Sequence, residues 1–379
     1  MEKFVTIERA IEIARETPLP SSVEDVPLHE ALNRILAQDL ASKVDDPAFD
    51  NSAMDGWAVR SQDTKRVEIG RTTAGEAPNT IGPGEAIRIM TGAHIPTGAD
   101  AIVVVEDGLQ GEAKPHFIRR RGENLRMGET ALFKGQKMSP SAISLAATMG
   151  YKSLPVYSKL RVAVISTGDE LVQPGIELGP GEIYESNSYG LCALLEKIGC
   201  IPILHDVVQD SLDGLRETLN NCDCDLIITS GGVSMGDRDF VRKIMEEEGT
   251  IHFWKVAMRP GGPPLFGSWK QTPLFGLPGN PVSSHLVFQI IVAPWIAPQV
   301  QLFKQVHVEM LEPVKGAPNK TCFRRIEIVN ENGKLVARTH THQGSGNIHS
   351  MVAHNGLTRL PPNTDANIGD RIEALWFTD

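Results

Sequence analysis

From Arg161 onward the chain alternates short β-branched runs with helical patterns, and this alternation restricts the possible folds more than any other feature. RVAVIST reads as a strand, SYGLCALLEKIG as a helix, IPILHDVV as a strand and SLDGLRETLNN as a helix. DLIITS is again a strand and DFVRKIMEEEG a helix, while IHFWKVAM and PLFGL are strand candidates before the closing helix NPVSSHLVFQIIVAPW. Such alternation predicts a mostly parallel sheet covered on both faces, because a crossover helix is what returns the chain to the start of the next parallel strand. The doubly wound α/β domain is assigned to residues 159–300.

The chain before it has a different character. Residues 46–126 are rich in Gly, Thr, Pro and short runs such as AIRIM and AIVVVE, which predicts an inserted β domain. Residues 1–45 and 127–158 carry helical periodicity or apolar extended runs and read as one linking region, discontinuous in sequence. Within it, Ile7 to Gln38 and Ser141 to Tyr157 are expected to pack together. In residues 301–379 the runs VHVEML, FRRIEIV, LVART and RIEALWF, separated by turns such as NENGK, predict a C-terminal β-barrel domain. The fold class is therefore multidomain α/β plus β.

A net charge of -10 argues against a general nucleic-acid or membrane-surface binder. Any anionic ligand must meet local cations or backbone N–H groups. The five cysteines are odd in number and form no C-x-x-C pair, so reduced thiols are expected instead of a disulfide framework or a zinc site. MEKFVTIERAIEIARE has no uncharged core of the kind a signal peptide needs, and HLVFQIIVAPWIA is too short to span a bilayer. A cytoplasmic protein without membrane insertion is expected.

Three loops at the strand ends concentrate small residues and hydrogen-bond donors. The first strand ends in STGDEL, with Thr167, Gly168, Asp169 and Glu170; the third ends in TSGGVSMGDRDF, with Ser230, Gly231, Gly232 and Ser234. GLPGNPVS opens the last helix, with Gly279, then Asn280 as N-cap and Pro281 at the first helical position. In an open parallel sheet, ligands bind beyond the carboxyl ends of the strands, so these loops point to a phosphate-bearing ligand. A lone glycine pair could serve turn geometry alone. Carboxylates sit beside the donors: Asp169, Glu170, Asp210, Asp237 and Asp239. Acids next to anionic ligand oxygens imply a hard cation, Mg²⁺, although Asp239 taken singly could be a helix N-cap. The positive counterpart is FWKVAMRPGGPP, where Lys255, Arg259 and Pro260 enter a Gly-Pro loop that cannot continue a strand.

Three further stretches lie in the inserted region: DPAFDNSAMDGWAV with Asp55, RIMTGAHIP with Thr91, and the arginine cluster RRRGENLR. Turn chemistry or a solvated face could account for each.

Taken in order, PAFDNSAMDGWAV, RIMTGA, RRRGEN, STGDEL, TSGGVSMGDRDF, FWKVAMRPG and GLPGNPVS resemble the molybdopterin molybdotransferase family, of the MoeA and gephyrin E-domain type, over nearly the whole chain. The resemblance implies an α/β domain of MoaB/Mog-like form and a homodimer whose active site is shared between subunits. Asp55 and Thr91 would then belong to one site with Asp239. It implies insertion of molybdenum from molybdate into adenylylated molybdopterin, with release of AMP, and transient contact with the adenylylating enzyme and with recipient molybdoenzymes. By the same resemblance Glu170 and Asp239 are candidate Mg²⁺ ligands, Lys255, Arg259 and Ser283 would hold the molybdate oxyanion, and Asp55 and Asp210 would position water, metal or pterin. Two departures stand out. Where family members usually read KPGKP, this chain reads Arg259-Pro-Gly-Gly-Pro263, so the second cation becomes Gly262; and Asn124 replaces the acid of RRRGED. Each admits altered affinity, a compensating residue elsewhere, or a paralogue with a shifted task. The other readings are a non-catalytic dimeric scaffold and an adenylyltransferase-like nucleotide enzyme.

Overall fold

The computed structural model describes residues 1–234, 236, 239–339 and 342–377. It divides into two compact units: Met1–Ser21 with Lys159–Asp379, and Ser22–Ser158.

The strands of the larger unit's main sheet are β1 (Glu2–Val5), β2 (Arg161–Ser166), β3 (Ile201–Leu204), β4 (Leu226–Ser230), β5 (Thr250–Val256), β6 (Leu265–Trp269) and β7 (Thr272–Leu277). Their order is β1-β5-β6-β7-β4-β2-β3. β7, β4, β2 and β3 run parallel, as the alternation predicts. β6 is antiparallel to both β5 and β7. The sequence reading finds one strand candidate where the fold has this β6–β7 hairpin, because the connecting Lys270 adopts φ 53 without any glycine or asparagine to mark the turn.

The helices are α1 (Ile7–Glu16), α2 (Asn187–Lys197), α3 (Leu212–Asn221), α4 (Phe240–Glu247) and α5 (Pro281–Val287). Period-two alternation in the strands separates two cores. Val162, Val164, Leu226 and Ile228 pack with Leu191, Leu195 and Leu286 on one face. Ala163, Ile165 and Ile227 pack with Leu215, Leu219, Val241 and Ile244 on the other. Each fully buried aliphatic side chain contributes about 1.5–3 kcal/mol, so covering both faces fixes the register of every strand. The first residues, read from sequence with the linking region, belong to this sheet: β1 pairs in parallel with β5, and Ile7, Ala10, Ile13 and Ala14 of α1 enter the first core. A pairing across some 250 residues leaves no local signature.

A closed barrel follows, built of β8 (Phe303–Met310), β9 (Arg325–Glu331), β10 (Lys334–Thr339), β11 (Gly356–Thr358) and β12 (Arg371–Phe377). The β9–β10 turn uses Asn332 at φ 54 and Gly333 at φ 85, while the Asn330 side chain accepts the Gly333 N–H.

In the smaller unit Val67–Thr72, Glu85–Ile89, Gly56–Val59 and Ala101–Val104 form a four-stranded sheet in that order. A separate cluster joins Val26, Leu36 and Leu40 to Leu132, Met138, Ala142, Leu154 and Val156, so the segments flanking the β region do pack together. All five cysteines are free thiols. Burial pushes Cys192 up to about 11 and Cys200 up to about 12, which disfavours thiolate chemistry at either. Among the described residues no helix is long and apolar enough to cross a membrane.

Candidate functional site

The carboxyl ends of β2, β4 and β7 bring their loops together. Thr167 N–H donates to Ser230 O across 3.1 Å, and Gly231 N–H to Leu277 O across 3.0 Å. Glycine is required there for close approach: Gly231 has φ 99, and a Cβ on it would stand 2.8 Å from Thr167 O. Gly232, at φ 66, is held against Val241 of α4. Arg242 of α4 stacks on Trp254 at 3.9 Å, and its backbone N–H donates to Gly232 O. Trp254 Nε1–H donates to Val233 O across 3.1 Å. The loop is thus clamped from beneath while its upper side faces a cavity of about 700 Å³.

This cavity gathers most of the residues expected from sequence. Thr167, Gly168 and Glu170 line it from the first loop, and Ser230, Gly231, Gly232 and Ser234 from the third. Asp210, Asp239, Gly279, Asn280 and Pro281 complete that set. Asp239 stands at the N-cap position of α4 without capping the helix; its carboxylate accepts the N–H of Gly236 instead. Asp169 does not line the cavity, and its Oδ1 accepts the backbone N–H of Asp210 across 3.0 Å. Asp237 lies outside the described residues. Asn280 and Pro281 take their expected cap and first-turn positions, but the Val282 N–H is taken by Ser345 O from the barrel side.

A second cavity of about 910 Å³ adjoins the first, for Asn280 and Pro263 line both. Lys255, Arg259, Pro260 and Ser283 line it, with no carboxylate among its described lining residues. Lys255 adopts φ 70 within β5 and lays its ammonium over the Trp254 ring at 4.1 Å. A lysine in the left-handed region is strained, a cost tolerated where surrounding contacts fix it.

In the smaller unit, Asp55 and Thr91 meet directly. Thr91 donates from its N–H (2.7 Å) and its hydroxyl (2.8 Å) to Asp55 Oδ1. These bonds, the backbone one foremost, hold the Asp55 carboxyl below the usual carboxylate range. Two of the cluster's four arginines form ion pairs, Arg120 with Asp50 at 2.7 Å and Arg121 with Asp45 at 2.6 Å. Asn124 donates its amide to Asp46 Oδ2 across 3.1 Å. An acid at this place would set two carboxylates face to face, so the amide suits this loop.

Sequence reasoning missed the ESNS segment after the first strand. Glu185 is 2% exposed and accepts from the Ser166 hydroxyl and from the N–H and hydroxyl of Ser188. Asn187 ties two loops, donating to Ser230 Oγ (2.8 Å) and Gly279 O (2.7 Å). The four-residue polar run ESNS before an apolar helical stretch was the available signal. Also unforeseen is an apolar wall of the first cavity made by Leu171, Ile183 and Tyr184. The Tyr184 hydroxyl donates to Ile176 O across 3.0 Å, which fixes the ring.

Three family models match in succession: "MoeA N-terminal region (domain I and II)" over residues 5–150, "Probable molybdopterin binding domain" over 163–298 and "MoeA C-terminal region (domain IV)" over 307–377. The chain is 38% identical to a molybdopterin molybdenumtransferase of Synechococcus elongatus, covering 96% of both chains. It is 36% identical to that of Haemophilus influenzae, covering 93% of both. The crystal structure of the molybdopterin biosynthesis MoeA protein from Pyrococcus horikosii superposes with a TM-score of 0.84 at 29% identity, over 99% of this chain and 100% of that one. With the fold, the strand-end loops and full-length similarity in agreement, the chain belongs to the MoeA family.

Proposed function

We propose that this protein is a molybdopterin molybdotransferase, which inserts molybdenum from molybdate into adenylylated molybdopterin and releases AMP and molybdenum cofactor in an Mg²⁺-dependent reaction. The observation that carries this reading is the pair of adjoining cavities, one offering phosphate-binding loops beside carboxylates, the other cations without carboxylates.

The phosphate linkage would lie against Thr167, Gly168, Ser230, Gly231, Gly232, Ser234 and Gly279, where backbone and hydroxyl donors converge. The fixed face of Tyr184, with Leu171 and Ile183, offers a plane for a flat heterocycle attached to it. Lys255, Arg259 and Ser283 would hold the molybdate dianion, with charge-assisted hydrogen bonds replacing its hydration. Pro260 rigidifies the turn between them. Asp210 and Asp55 would orient water or the pterin.

The carboxylates fit Mg²⁺ in a particular way. Glu170 and Asp239 line the phosphate cavity, yet among the described residues no group of three or more acidic, His or Cys side chains could hold a metal by itself. Mg²⁺ commonly binds through one or two carboxylates together with substrate phosphates, so a site completed by the ligand matches this donor set. Bound there, Mg²⁺ would neutralise phosphate charge as the linkage breaks.

The direct test is incubation of the purified protein with adenylylated molybdopterin, Mg²⁺ and molybdate, measuring AMP and the activation of a cofactor-free molybdoenzyme. Molybdate-dependent AMP release with reconstituted activity is expected. Ligand binding without AMP release would point to an altered paralogue or scaffold.

The reading also assigns Asp55 and Thr91 to this reaction, contributed by the partner subunit of a cytoplasmic homodimer that meets the adenylylating enzyme and recipient molybdoenzymes transiently. Co-expression of Asp55→Ala and Asp239→Ala chains, each inactive alone, is then expected to regain about a quarter of wild-type turnover, since half of random dimers carry one intact site. Regain of nothing would place both residues in a site built by one chain.

A further inference from the structure

We infer that Lys320 supplies, from the barrel side of the molecule, the fixed positive charge that position 262 lacks. The inference rests on the reading of the larger cavity as the oxyanion pocket and names a residue of it that the motifs do not reveal.

The geometry is local. A Cβ built on Gly262 would stand 3.7 Å from the ammonium of Lys320, and both residues line the 910 Å³ cavity beside Lys255, Arg259 and Arg324. The backbone places residue 320 at this corner, and its side chain carries the ammonium to position 262. Met258–Arg259 pairs in parallel with Thr321–Cys322. Thr321 N–H donates to Ala257 O across 2.9 Å and Phe323 N–H to Arg259 O across 2.8 Å. Asn319, at φ 54, turns the chain immediately before Lys320.

Sterics alone do not require glycine at 262. The nearest atom to an added Cβ is Met258 O at 3.4 Å, an ordinary contact. A cationic side chain starting there would, however, meet the Lys320 ammonium, and like charges at such separations repel. One cation therefore fits this corner of the pocket, and here it comes from residue 320. A tetrahedral dianion in the cavity would be approached by Lys255 and Arg259 from the α/β side and by Lys320 from the other, which spreads its charge over several donors.

Molybdate alone is the probe, titrated calorimetrically into the full-length protein and its variants, with thermal melting to confirm that each is folded. Lys320→Met keeps the aliphatic stem and is expected to weaken molybdate binding about tenfold, the effect of one charge-assisted contact. Lys320→Arg is expected to retain most of the affinity. Adding Gly262→Lys to Lys320→Met is expected to restore binding to within about threefold of wild type, while Gly262→Lys alone does not tighten it. Wild-type affinity in a folded Lys320→Met protein overturns the inference and leaves the pocket assignment standing, as does a loss that Gly262→Lys fails to repair. Absence of molybdate binding by the wild-type protein overturns the pocket assignment and the inference together.

Discussion

Asp239→Ala is expected to reduce Mg²⁺-dependent AMP release on the order of 10²-fold or more, the scale on which loss of one preorganised electrostatic partner acts. The chain should still fold. Asp239 is a partly exposed carboxylate at the start of α4, its side chain does not cap the helix, and among the described residues it accepts from the Gly236 N–H in the same loop. Losing that contact costs about 1 kcal/mol locally. The loss of turnover should therefore appear without a matching loss in melting temperature. The metal dependence separates a ligand from a bystander: a Mg²⁺ ligand removed raises the Mg²⁺ concentration for half-maximal rate, and excess Mg²⁺ regains part of the activity. Asp239→Asn, which keeps the shape but not the charge, should behave nearly as badly. An unchanged rate in Asp239→Ala would remove this carboxylate from the reaction and leave Glu170 as the acid to test.

What the sequence could announce in advance was whatever is written locally. RVAVIS and DLIIT carry buried residues on both faces of a strand, and their alternation between two helix layers made the parallel sheet legible. The strand-end loops were legible for the same reason, since position after a strand implies position at the edge of the sheet. Contacts made by distant segments were not. EKFV is short and mostly exposed, and it becomes a strand only because β5 offers it an edge. Lys320 looks in sequence like any lysine before a strand; its place beside Gly262 is created by the pairing of residues 258–259 with 321–322. Asp169 shows a different limit. Its type and its loop suggested ligand contact, and its Oδ1 also accepts the Asp210 backbone N–H, a use that spacing alone could not reveal. Asp55 and Thr91 were singled out separately and turn out to be hydrogen-bonded to each other.

Glu185→Ala is expected to destabilise the larger unit by about 3 kcal/mol, because it strands donors that have no water to turn to. Glu185 is 2% exposed, and the carboxylate accepts from Ser166 Oγ at 2.9 Å and from Ser188 N at 2.8 Å, with the Ser188 hydroxyl as a third donor. Ser166 ends β2 and Ser188 lies in the first turn of α2, so one buried acid joins a strand end to a helix start. The consequence for function follows from what lies between and beside these residues. Thr167 and Gly168, which follow Ser166, line the 700 Å³ cavity, and Asn187, which precedes Ser188, bonds both Ser230 Oγ and Gly279 O. Releasing Ser166 and Ser188 therefore loosens three loops that must hold their donors in register. Glu185→Gln retains one acceptor oxygen but turns an NH₂ toward groups that are themselves donating, so it should fall between wild type and alanine in stability. Chemical denaturation read at the larger unit measures the first effect, and the affinity for AMP measures the second. A Glu185→Ala protein with wild-type stability would show that water enters the site and satisfies the donors; wild-type stability with weakened AMP binding would show that the acid orders the loops without supporting the fold.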